Sequence, residues 1–165
     1  MKFIALLLFF SLTLNIYSDS YTDRINIFLE AKKFDYMQIN NLSEDIVSGT
    51  LVLGNQDIIL KIESPYRESY IINNNFVTYI DHDFSQQQTF EYDYDDFPLI
   101  RLIASKNIIE SPDIRVITLK EDGVLITDKN NQQSFFLHLK DDQTLEIQFN
   151  DNYGISNSVN LIKIL

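Results

Sequence analysis

The sequence predicts an α+β fold: a curved antiparallel sheet with helices that could cover its concave face. Three observations predict it. Short segments of period-two hydrophobic alternation recur roughly every ten residues through most of the chain. Clusters of Asn, Asp and Gly separate them, in the composition that hairpin turns demand. Two segments, 21–34 and 95–104, break this period and read as helices.

The first 20 residues are expected to be a cleaved signal peptide. Lys2 supplies the charged start, and Phe3 to Leu14 form an apolar run too short to span a bilayer. Cleavage after Ser18 or after Ser20 fits; the second places small residues at both −3 and −1. Residues 21–165 then form a single domain, because no repeat, linker or low-complexity tract divides them. The chain contains no cysteine, so its fold must hold by its own core, which the roughly 145 remaining residues are enough to build. The absence of cysteine also leaves no thiol to carry a lipid on the new N-terminus, and the expected product is an exported, unanchored protein of the Gram-negative periplasm.

From Tyr21 to Phe34 the apolar residues Ile25, Phe28, Leu29 and Ala31 fall at helical spacing, with Lys32 and Lys33 in the expected last turn. Strands are expected at 47–53, 57–63, 68–73, 76–81, 88–93, 114–120, 123–127, 133–139, 144–150 and 156–164. Alternation is clearest where Ile58, Leu60 and Ile62 oppose Ile59, Lys61 and Glu63, where Phe135, Leu137 and Leu139 oppose Phe136, His138 and Lys140, and where Leu145, Ile147 and Phe149 oppose Glu146, Gln148 and Asn150. One face is apolar and the other polar, as an antiparallel sheet with one covered side requires. The second helix, 95–104, has Pro98 in its first turn behind Asp95 and Asp96. Its Leu99, Ile100, Leu102 and Ile103 surround most of the helix, so it should lie on the apolar side of the sheet. A curved sheet of this many strands has more inner surface than two short helices can fill, so a cavity is one expectation and a fully packed core is the other.

Composition excludes several function classes. With 13 basic and 24 acidic residues the net charge is −11, and loss of Lys2 and Asp19 with the signal peptide leaves it unchanged. Nucleic acid and anionic membrane surfaces are repelled by such a field. The sequence has no Cys nucleophile, no Gly-x-Ser-x-Gly and no phosphate loop, and no cofactor is expected. Asp81-His82-Asp83 is the one titratable cluster worth weighing as a metal or acid/base site, but on a strand His82 points away from the two carboxylates. It reads as a solvated hairpin end. The run from Glu91 to Asp96 lacks the glycine-punctuated spacing of a calcium loop. The chain is therefore expected not to be an enzyme.

Several short motifs occur in a distinctive order. Ser48-Gly49-Thr50-Leu51 opens one strand, Ser64-Pro65-Tyr66 ends the next, and Asn75-Phe76-Val77-Thr78-Tyr79-Ile80-Asp81 is followed by Asp83-Phe84-Ser85-Gln86. Phe97-Pro98 precedes Leu102-Ile103, and Asp151-Asn152-Tyr153-Gly154 stands near the end. In this order and spacing the chain resembles the periplasmic outer-membrane lipoprotein carrier (LolA) family. That resemblance implies an unclosed barrel whose lid encloses a cavity for acyl chains. It implies a monomeric chaperone that accepts acylated lipoproteins from an inner-membrane lipoprotein-releasing ABC transporter and passes them to an outer-membrane lipoprotein receptor. The chain departs from the family pattern at Asn55-Gln56, where many members carry a basic residue followed by Pro, at Thr78 and Ile80, where aromatic residues are usual, and at its short C-terminus.

The candidate cavity residues are Leu51, Leu53, Ile58, Leu60, Ile62, Phe76, Phe90, Tyr92, Phe135, Leu137, Leu145, Ile147 and Phe149, with Leu99, Leu102 and Ile103 from the lid. Each also fits a plain core position. A buried acyl chain contributes ~0.8 kcal/mol per CH₂, so three fully buried chains would pass the ~20 kcal/mol at which non-covalent affinity saturates. A carrier that releases its cargo must therefore hold it in an adaptable cavity. A carrier or sensor of the same fold for a glycolipid or phospholipid, and an envelope domain that binds proteins rather than lipid, remain open alternatives.

Overall fold

The computed structural model describes residues 21–55, 57–73, 75–91, 103, 114–120, 122–128, 133–151 and 153–164. They form one helix, α1 (residues 21–29), and eleven strands. The strands are β1 Lys33–Asn40, β2 Ile46–Leu53, β3 Ile58–Ser64, β4 Glu68–Ile72, β5 Phe76–Asp81, β6 Gln86–Glu91, β7 Ile114–Leu119, β8 Val124–Asp128, β9 Ser134–Leu139, β10 Thr144–Asn150 and β11 Ser156–Lys163. Of the second expected helix only Ile103 lies among the described residues, where it is buried, and the expected two-helix lid is therefore not part of the described structure. Leu99 and Leu102 lie outside the described residues, as do residues 1–20 and Tyr92.

All eleven strands belong to one open antiparallel sheet in the order β6-β5-β4-β3-β2-β1-β11-β10-β9-β8-β7. Two meanders, β1 to β6 and β7 to β11, are therefore joined edge to edge by the pairing of β1 with β11, from Phe34↔Lys163 to Asn40↔Asn157. Each expected strand is present, with ends shifted by a few residues.

The eleventh, β1, falls where the sequence suggested the end of a helix. α1 stops at residue 29, closed by Glu30 N donating to the Asn26 carbonyl and Ala31 N to that of Phe28. Helical spacing holds for Ile25, Phe28 and Leu29, all at most 2% exposed. From Phe34 onward the period is two: Phe34 and Tyr36 are buried, while Asp35 faces solvent. Lys32 and Lys33 thus do not terminate a helix. Their carbonyls accept from Leu53 N and Ile164 N and start the sheet.

Register fixes one inner face. Across β1 to β4 it carries Phe34 and Tyr36, Gly49, Leu51 and Leu53, Ile58, Leu60 and Ile62, and Tyr70 and Ile72. Across β11 to β8 it carries Val159 and Leu161, Leu145 and Ile147, Phe135 and Leu137, and Val124 and Ile126. These residues, with Val77 of β5, Ile103 and the buried side of α1, make a single core cluster, so the sheet curls around one interior.

At Gly49 the register between β2 and β3 shifts beside Ser48, and the Lys61 carbonyl closes on the glycine. A Cβ there would stand 1.8 Å from that oxygen and 2.9 Å from the Ile62 Cα, both main-chain atoms that cannot swing away. Gly49→Ala is expected to lower unfolding stability by about 1–3 kcal/mol or more through this overpacking, read as a lower urea midpoint; an unchanged midpoint would refute the close approach.

Candidate functional site: a half-covered apolar trough

The inner face is covered unequally. α1 crosses one half of it. The Tyr21 hydroxyl donates to the Asp122 carbonyl (2.9 Å) and accepts from Leu139 N (3.0 Å), tying the helix start to the ends of β8 and β9. Further along the helix, Phe28 stacks on Phe34 of β1 at 5.3 Å, and the Lys163 ammonium of β11 lies 4.7 Å over the Phe28 ring. Beneath the helix, Val124, Leu137, Leu145, Ile147, Val159 and Leu161 are all 0% exposed. That half is dry core.

The other half is covered less evenly. Leu51, Leu53, Ile58, Ile62, Ile72 and Val77 are buried but not sealed, Leu60 and Tyr70 are half-buried, and Phe90 on β6 is exposed. A cavity of about 720 Å³ lies here, lined by Tyr36 and Gln38 of β1, Val47 of β2, Leu60 and Ile62 of β3 and Glu68 and Tyr70 of β4, with Asp45, Ile46, Pro65 and Tyr66 at its mouth. Its size falls within the ~300–1,000 Å³ of small-ligand pockets.

The sequence-derived site residues are thereby sorted. Leu60 and Ile62 line the cavity. Leu51, Leu53 and Ile58 are buried on the same face, while Phe90 and Phe149 share that face by register at its less covered positions. Phe135, Leu137, Leu145 and Ile147 are packed into the dry half, and Ile103 belongs to the core. Phe76 is on the opposite face: the pairing Ile72↔Val77 gives the inner position to Val77, at 3% exposure, and turns Phe76 out toward its partner Glu91. A one-residue step along a strand exchanges faces, and only pairing decides which neighbour goes in.

Sequence reasoning missed the polar members of the trough. Cross-strand register sets Glu68 beside Asp81 and Tyr70 beside Tyr79, whose rings lie 5.2 Å apart. The Tyr70 and Tyr79 hydroxyls donate to the two Glu68 carboxylate oxygens at 2.9 and 3.1 Å, and Tyr36 donates to the Gln38 side-chain oxygen at 2.5 Å. Gln38 in turn donates to Asn157 of β11 at 3.2 Å. The period-two signal was present in Glu68/Tyr70 and Tyr79/Asp81, but no polarity pattern in one strand reveals which strand lies beside it. The Tyr36/Gln38 pair was hidden by the helix expected over that segment.

His82 sits in the β5–β6 turn with its Nε2 2.8 Å from the Ser69 hydroxyl, and Arg67 Nε donates to Asp83 at 2.7 Å. The Arg67 backbone N–H and then its guanidinium hold the Asp83 carboxyl below its usual range. His138 contacts the Asp122 carbonyl through Nδ1. Among the described residues no group of three His, Cys, Asp or Glu side chains is placed to hold a metal ion, and no helix is long and apolar enough to cross a membrane.

No family model and no curated protein matches the chain. Among solved structures, it is similar to a redesigned beta barrel at 10% identity, covering 86% of this chain and 96% of that one with a TM-score of 0.35.

Burial pushes the Tyr36 phenol up to about 12. Tyr70 and Tyr79 are pushed up as well, by desolvation first and then by the hydrogen bond and charge of Glu68. The folded state therefore keeps protons that the unfolded chain loses from about pH 10. Stability is expected to be fully retained below that pH and to fall as pH rises from about 10 toward 12. Tyr36→Phe should make this fall shallower in denaturant titrations at stepped pH; an identical slope would contradict the burial argument.

Proposed function

We propose that this protein is a periplasmic carrier of acylated lipoproteins, a binding protein rather than an enzyme, which shelters acyl chains in the open half of the trough. The observation that carries the reading is the continuation of the apolar face past α1 into a cavity walled by Val47, Leu60 and Ile62. A face of this kind is favourable to cover and costs free energy to leave wet. The resemblance of the motif order to lipoprotein carriers supports the choice of cargo and of partners: an inner-membrane lipoprotein-releasing transporter as donor and an outer-membrane receptor as acceptor.

In this reading the stretch that contains Leu99, Leu102 and Ile103 acts as the lid. Chain order supports the assignment, since residues 92–113 link β6 to β7, the two edges of the open sheet. Cargo leaving the cavity would then pass between those edges or through the mouth at Asp45, Ile46, Pro65 and Tyr66. The same trough also fits a carrier of free lipid, and the phenol and carboxylate groups of Tyr70, Tyr79 and Glu68 favour that second reading to the extent that they can bond a polar headgroup.

Native mass spectrometry of the mature protein from a Gram-negative periplasm tests the proposal. A co-purified acylated lipoprotein is the expected result. A free lipid would select the second reading, and an apo mass together with failure to accept lipoprotein from membranes would overturn both. Leu60→Glu, which places a charge on the half-buried cavity wall, should weaken binding of a soluble acyl probe at least ~10-fold with an unchanged circular dichroism spectrum. Leu99→Glu and Leu102→Glu should also weaken it; unchanged binding in both would sink the lid assignment.

A further inference from the structure

The turns at the two ends of the sheet share their construction and differ in what they present. In the antiparallel order, the β1–β2, β3–β4, β5–β6 and β10–β11 turns emerge at one end. Each holds one large apolar side chain out in solvent: Leu42 (77% exposed), Tyr66 (66%), Phe84 (74%) and Tyr153 (89%). These are the four most exposed large hydrophobic residues of those described. Successive turns along this rim are two strands apart, or about 10 Å.

Turn geometry does not require such residues. At this end the side chains of Asn40, Asp81 and Asp151 accept from the backbone N–H of Leu42, Phe84 and Tyr153, fixing each tip in place. At the opposite end Asn73 and Asp141 do the same for Asn75 and Gln143. There the tips are polar, and none of the described turn residues is large and apolar. One of these tips, Tyr66, also lines the cavity, together with Asp45 and Ile46 from the same end of the sheet.

The geometry points to this rim as a docking surface for the interfacial region of a lipid bilayer without net negative charge, holding the trough mouth against the lipid. The inference rests on the acyl-carrying reading for its purpose, though not for its geometry. A bilayer interface accepts separate apolar fingers without matching sockets, and Tyr66 and Tyr153 combine an apolar ring with a hydroxyl suited to the headgroup layer. Tips about 10 Å apart, with polar residues between them, do not merge into the contiguous patch that a protein partner would bury. Charge sets the lipid class. Glu44, Asp45, Asp83 and Asp151 flank the tips, and Arg67 is already paired with Asp83 at 2.7 Å. An anionic surface is repelled.

Vesicle flotation of the mature protein tests the inference. Wild type is expected to float with pure phosphatidylcholine vesicles and progressively less as phosphatidylglycerol replaces it. The variant carrying Leu42→Ser, Tyr66→Ser, Phe84→Ser and Tyr153→Ser should lose ~100-fold or more in partitioning through removal of apolar transfer. Ile27→Ser, at a 59% exposed position on α1 away from the rim, should change nothing. Wild type that stays in solution with phosphatidylcholine overturns the inference in favour of a protein partner. Equal flotation of the fourfold variant, or equal loss with Ile27→Ser, overturns it as well. Leu60→Glu separates this from the cavity reading: it should lose the soluble acyl probe and still float, while a variant carrying only Leu42→Ser, Phe84→Ser and Tyr153→Ser, none of which lines the cavity, should keep the probe and lose flotation.

Discussion

The pairing of β1 with β11 is the constraint on which the rest of this structure depends. Every other strand pair joins neighbours in the chain through a short turn, whereas this one brings together the beginning and the end of the described domain. Closing so long a loop costs conformational entropy that grows slowly with its length. The return is large because both strands then have partners on both sides and lie at the centre of the sheet. Without this seam there would be two meanders, each with a bare edge and half an inner face. With it there is one face and one core, and α1, which directly precedes β1, is delivered onto that face at the seam through Phe28 and Phe34.

Polar groups on the outer side secure the register. Ser158 of β11 donates to Glu146 of β10 at 2.9 Å, Lys140 bonds Asn160 at 3.0 Å, and the Lys140 ammonium lies 3.3 Å from the same Glu146 carboxylate. Ser158 and Asn160 are themselves buried. A one-residue slip of β11 would move Val159 and Leu161 off the core face and strand these polar side chains among apolar ones. The cost of unpaired buried polar groups thus adds to the cost of lost apolar burial. Among the described residues no buried side-chain nitrogen or oxygen lacks a hydrogen-bond partner.

The trough follows from unequal coverage of one continuous face. A helix of this length reaches from β9 to β1, and beyond it the inner positions Leu60 of β3 and Tyr70 of β4 are half-buried beside the cavity. There the lining becomes mixed, with aliphatic walls and a phenol–carboxylate cluster. Tyr70 and Tyr79 satisfy Glu68 from two strands, which lets a carboxylate sit at the edge of an apolar cavity. The wall combines aliphatic side chains with hydrogen-bonded aromatic ones, and the proposed carrier role rests on that combination.

The sequence by itself determined ten of the eleven strand segments, because period-two alternation is a property of each strand and the buried faces of β3, β9 and β10 follow from Ile58/Leu60/Ile62, Phe135/Leu137/Leu139 and Leu145/Ile147/Phe149 alone. It also determined that Ile25, Phe28 and Leu29 share one side of a helix. It did not show where that helix stops, since Lys32, Lys33 and Phe34 continue a helical pattern as well as they begin a strand, and only the two flanking partners β2 and β11 settle the choice. The face taken by Phe76, the meeting of Tyr70, Tyr79, Glu68 and Asp81, and the gathering of Leu42, Tyr66, Phe84 and Tyr153 on one rim belong to the tertiary structure for the same reason. Each depends on which strand lies beside which, and hydrogen bonding between segments far apart in the chain is a relation that no local pattern of side chains encodes.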